Sequence, residues 1–192
     1  SIQIRFILET VNAPEYDCSA HNSSEWTELH GKRRVMLGIW SIVFATVCQI
    51  LYLPALRVFH KERRLTSYKI MLILILADIG GLICMGSLFG YSMIRGMVFC
   101  SDTTLAWIMG CGQFCCWYTS SCNCILLVCN RIGELMERSW IFQGKRSSLL
   151  ILIILSYAVI GMFFTRPCLP NSVYQTIAFD PFIPGHTSDE VR

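Results

Sequence analysis

Charge is what this sequence has least of. Asp, Glu, Lys and Arg make up 15% of its 192 residues, against about 25% in an ordinary soluble domain. The shortage is concentrated: residues 35–56, 103–130 and 147–165 contain no charged side chain, and residues 70–94 contain only Asp78. These runs are 19 to 28 residues long and cover about half the chain. Roughly 20 apolar residues is the length an α-helix needs to cross a bilayer core of about 30 Å. A soluble enzyme, a disordered chain and a DNA-binding protein are all excluded by such runs. The net charge of +3 does not point to nucleic acid either, because the basic residues sit in short clusters beside the apolar runs.

Other absences narrow the chemistry. No C-x-x-C spacing occurs, which weighs against a zinc knuckle and a thioredoxin-type redox centre. All four histidines (His21, His30, His60 and His186) lie outside the apolar runs. That leaves no His–Cys or His–Asp pair for intramembrane catalysis, so neither an enzyme, a metal site nor a cofactor is expected. Residues 2–8 are too short, and too interrupted by Arg5, to be a secretory signal. No internal repeat is visible, and the chain begins Ser1-Ile2-Gln3 without an initiator Met.

What is present reads as an all-α membrane protein with four transmembrane helices. A polar amino-terminal segment, 1–34, precedes a transmembrane domain, 35–165, with helices at about 35–58, 67–88, 104–130 and 149–164. The 166–192 segment carries four prolines and reads as a turn-rich loop. Pro54 sits near the end of the first span, where it removes a backbone hydrogen bond. Eight of the eleven cysteines lie inside the apolar runs, where thiols serve as small packing residues. Cys111, Cys115 and Cys122 share a helical face, which suits close helix packing better than metal binding.

Lys and Arg concentrate on cytoplasmic loops. The connections between spans 1 and 2 and between spans 3 and 4 carry nine, and the opposite side carries five. This places the amino terminus outside, although Lys32-Arg33-Arg34 pulls the other way. An external amino terminus makes Asn22, in the sequon Asn22-Ser23-Ser24, a glycosylation candidate.

Three groups of residues stand out. Asp78 is the one acid inside an apolar run; a carboxyl at membrane depth marks an ion or water site, or else it is satisfied by a neighbour such as Asn123. Asn130-Arg131, with Glu134 one turn later, lies where the third span meets the cytoplasm, and an arginine there can exchange carboxylate partners as a latch. The plainer reading is an arginine snorkelling to the interface. Cys100 and Cys168 both fall on the outer side, where an oxidising compartment permits a disulfide; Cys18 is a competing partner.

These residues occur in a familiar order. Leu51-Tyr52-Leu53-Pro54-Ala55-Leu56, Ser67-Tyr68-Lys69-Ile70-Met71, Asp78, Val98-Phe99-Cys100 and Trp117 come first. Asn130-Arg131-x-x-Glu134, Phe142-Gln143-Gly144-Lys145-Arg146 and Phe179-Asp180-Pro181-Phe182 follow. Over about residues 32–185 the set resembles the nematode serpentine receptors of class T. The resemblance implies a chemosensory G-protein-coupled receptor with a seven-helix bundle, of which this chain supplies the first four spans. It implies a heterotrimeric G protein as partner, an unknown small-molecule ligand from outside, and a place in the lipid bilayer of the plasma membrane. Arg131 would stand where such receptors keep the arginine that contacts the G protein or holds the resting state. Asp78 would match their polar site in helix 2, while helix 3 and the loop after helix 4 would line the ligand entrance. Two departures matter: Asn, not an acid, precedes Arg131, so Glu134 or Glu137 must partner it, and the fourth span lacks tryptophan. The chain is then expected to be the front of a longer receptor. The competing readings are a four-span membrane scaffold, which would need neither Asp78 nor Arg131, and a transporter.

Overall fold

The computed structural model describes residues 16–61, 66–137 and 145–179. Residues 1–15, Arg63 and Arg64, Arg138, the 140–144 stretch with Phe142-Gln143-Gly144, and everything from Asp180 onward lie outside the described residues.

The amino-terminal segment contains a short helix, α1 (Ser23–His30). It starts at Asn22, whose backbone N–H donates to Glu25 Oε2 at 3.2 Å, the returning half of a capping box. The first long helix is α2 (Val35–Lys61), with Pro54 inside it. Next come α3 (Thr66–Leu82), a π-helical turn (Ile83–Leu88) and α4 (Phe89–Arg95), which together form one unbroken helix of 30 residues. It stops at Gly96, whose φ of 70° is left-handed and costs a glycine nothing. A 3-10 turn (Phe99–Ser101) then leads to Asp102, whose carboxylate accepts the Leu105 N–H at 2.9 Å. That cap opens α5 (Thr103–Leu135), the longest helix at 33 residues. α6 (Lys145–Phe164) follows, and a small antiparallel hairpin of β1 (Leu169–Asn171) and β2 (Thr176–Ala178) closes the described chain.

Among the described residues, three helices are long and apolar enough to cross a membrane: Val35–Lys61, Thr66–Arg95 and Arg146–Phe164. α5, the third of the four expected spans, is less apolar than these three. It is free of charge from 103 to 130, but it is rich in Ser, Thr, Gln, Asn and Gly. Its position accounts for that composition. α5 packs between α3 and α6, and its buried face carries Thr119, Asn123 and Asn130. Such side chains suit helix–helix interfaces better than lipid.

The second span runs to Arg95, beyond its expected end near Leu88, because its outer part is packed rather than solvated. Gly90 and Gly86 lie directly against α2, where Cβ atoms added to them would come within 2.7 Å of Gly38 O and 2.2 Å of Ala45 Cβ. Ser92 and Met93 are fully buried. Similarly, α5 continues past Asn130 because side-chain hydrogen bonds hold its last turn, as described below.

Two apolar cores tie the layers together. At one end Tyr16, Trp26, Phe99, Ala106 and Leu169 cluster with Trp107 packed on them. Near the other end Ile70, Leu126 and Ile151 join α3, α5 and α6. The first holds the amino-terminal segment, the α4–α5 connection and the hairpin together; the two are labelled the outer and inner ends after the orientation expected from the charges.

Candidate functional site

Three polar regions lie along α5, one at each end and one in the middle.

At the outer end the 3-10 turn places Cys100 beside Cys18, and the two form a disulfide with Cα atoms 5.4 Å apart. This corrects the expected Cys100–Cys168 pair. The segment carrying Cys18 is held beside the 3-10 turn by side chains of α1. The Trp26 indole N–H donates to Cys18 O at 3.2 Å, Thr27 donates to the Ser101 hydroxyl at 2.8 Å, and Ser23 donates to Ser101 O. Cys168 is free and partly buried, and burial pushes its thiol up from the ordinary value. Its carbonyl rests on α5 at Gly110, 2.7 Å from where a Cβ would stand, so only glycine allows that approach. Asn22 is exposed at the start of α1.

In the middle, Asp78 is partly buried between three helices. Its Oδ1 accepts from the Ser120 hydroxyl of α5 at 2.8 Å, and its Oδ2 accepts from the Tyr52 hydroxyl of α2 at 3.3 Å. The expected alternative partner, Asn123, turns elsewhere and donates to Thr119 O at 2.8 Å. Asp78 lines a cavity of about 570 Å³ together with Ser41, Tyr52, Gln113, Trp117 and Ser120. Among the described residues no group of three His, Cys, Asp or Glu gathers around a common point.

At the inner end, Asn130 is buried and donates through Nδ2 to Ser67 Oγ at 2.9 Å and to Glu134 Oε1 at 2.8 Å. Ser67 in turn donates to Glu134 Oε1 at 3.1 Å. Arg131 pairs with Glu134 Oε2 at 3.0 Å, and both side chains are substantially exposed. Of the two acids open to Arg131 from the sequence, Glu134 is the one it meets. Glu134 lies one turn beyond the charge-free run. Desolvation alone pushes its carboxyl up, but the bonds from Ser67, Asn130 and Arg131, with the arginine's charge, outweigh it and hold the carboxyl below its usual value.

Sequence reasoning missed several members of these groups. Ser120 and Gln113 were two among many polar residues of the third run. Tyr52 and Ser67 were noticed only as parts of longer motifs. The available signal was helical spacing: Gln113 and Ser120 are seven residues apart, two turns on one face.

Comparison with known proteins shows the family. A family model described as "Serpentine type 7TM GPCR chemoreceptor Srt" matches residues 2–191. The chain is 26% identical over 187 residues to a Caenorhabditis elegans protein described as "Serpentine receptor class T-55". The match covers 94% of this chain and 51% of that protein, so the chain spans about half the length of this curated relative. No solved structure matches the chain. It is a multi-pass membrane protein, and it belongs to the Srt family of serpentine seven-transmembrane chemoreceptors of the G-protein-coupled type.

Proposed function

We propose that the chain works as part of a plasma-membrane chemosensory receptor that detects a small external chemical cue and relays it to a heterotrimeric G protein. The end with the Cys18–Cys100 bridge faces outside, where the oxidising compartment lets the disulfide form. Asn22 on that side is open to glycosylation. The polar site at Asp78 connects α2, α3 and α5, so a change there bears on three helices at once. Signalling rather than catalysis is the output in this reading.

The observation that carries it is the inner-end cluster. Arg131 is exposed yet tethered to Glu134, and Glu134 is tied through Ser67 to the start of α3. An exposed arginine in such a pair can leave it for another partner, whereas a merely snorkelling arginine would need no buried Asn130 behind it. In cells expressing the receptor with a Gα partner, Arg131→Ala should change basal nucleotide exchange about twofold to fivefold per surface receptor, the range of a partly exposed ion pair. Unaltered exchange at intact surface expression would remove the latch from this reading.

A further inference from the structure

The inner and outer ends leave one group without use: the acceptors that converge in the cavity between α2, α3 and α5. Its walls are mostly apolar, with Phe44, Leu82, Met85 and Trp117 among them. At about 570 Å³ it is within the roughly 300–1,000 Å³ of small-molecule sites. Its polar groups have a one-sided character. The Asp78 carboxylate is met by two hydroxyl donors, and Gln113 Oε1 is buried without a hydrogen-bond partner among the described residues. No Lys, Arg or His is among the described residues that line the cavity.

An unpaired buried acceptor sharing a cavity with a carboxylate at membrane depth is costly, and the complement of both is a cation rich in N–H donors. Both acceptors belong to the lining of the one cavity. Gly81 lies one helical turn beyond Asp78, and a Cβ there would stand 3.6 Å from Gln113 Oε1.

We propose that the cavity between Asp78 and Gln113 binds a small organic amine as its ammonium, with the apolar body of the ligand against Phe44, Met85 and Trp117. This deepens the receptor reading by naming the chemical class of its cue, and it rests on that reading for its role in signalling. Binding itself does not depend on coupling to a G protein.

The test is equilibrium binding of tritiated 2-phenylethylamine to the full chain in lipid nanodiscs, with 2-phenylethanol as a neutral competitor of the same shape. Saturable amine binding is expected, with little competition from the alcohol. Asp78→Asn should weaken it about tenfold to a hundredfold, the size of a charge-assisted hydrogen bond. Gly81→Leu keeps both acceptors and fills the space between them. It should abolish binding while the melting temperature stays near that of the parent, which covers the case in which Asp78→Asn fails to fold. No saturable binding, equal competition by the alcohol, or binding unchanged in Gly81→Leu overturns the proposal. Complete displacement by sodium ions at physiological concentration overturns it too, in favour of an inorganic cation. All four outcomes leave the Arg131 experiment untouched, so failure here is distinct from failure of the receptor reading.

Discussion

Glu134 shows how a single residue's ionisation can hold two helices in register. Its folded carboxyl lies below its ordinary value of 4.5, so its ionised form binds the Ser67–Asn130–Arg131 group more strongly than the protonated form does. For a depressed carboxylate the stabilising contribution is complete above the unfolded value and is lost as pH falls through the folded one. Melting of the parent chain in nanodiscs should therefore drop between about pH 5 and pH 3 more steeply than melting of Glu134→Gln, with the two curves converging in acid. The gap will be modest, because the Arg131–Glu134 pair is exposed and screened. Parallel curves across that range would show that Glu134 does no such work. Asp78 and Arg131 were legible as residues of interest because a charge in or beside an apolar run is costly and needs a reason. Ser67, Ser120 and Tyr52 were not, because a hydroxyl is cheap in a membrane helix and only its neighbours reveal its use.

At the scale of elements, α2 and the second span pack backbone against backbone. A Cβ on Gly86 would stand 2.2 Å from Ala45 Cβ, and the Ser41 hydroxyl donates to Gly86 O at 2.9 Å. Gly86 O accepts the Phe89 N–H within its own helix, and the Ser41 hydroxyl adds a second bond to it from α2. Gly86→Val should therefore destabilise the chain by about 1–3 kcal/mol, the cost of overpacking. Gly81→Ala, whose new Cβ meets nothing nearer than 3.6 Å, should melt like the parent. If both melt alike, the contact is looser than the geometry states. The long helices were readable because freedom from charge over 19 or more residues is a strong physical requirement. The π turn was not, since nothing in Ile83–Leu88 departs from an ordinary apolar helix. The distinct character of α5 was also hidden: uncharged polar residues pass a test based on charge, and only packing between α3 and α6 explains their tolerance.

The whole molecule is a set of helices whose broad apolar faces stay open, with Trp40 69% exposed and Leu51 71% exposed on α2. Lipid tails or further helices satisfy such faces equally well. Orientation rests on the outer end, and glycosylation reads it directly. Translation in microsomes should give a band shift for the parent that Asn22→Gln abolishes; no shift in the parent would place the amino terminus on the other side. The disulfide was the least legible global feature. Three outer cysteines admit three pairings, and the choice depended on where α1 and its hydrogen bonds bring Cys18. That bridge joins residues 82 positions apart, and the cluster around it includes Leu169, near the end of the described chain. A ribosome delivers Cys18 first, Cys100 after α1 to α4, and Leu169 after α5 and α6. The outer end thus cannot be assembled as it is made. The amino-terminal segment meets its last partner in that cluster only once nearly all of the described chain has been made.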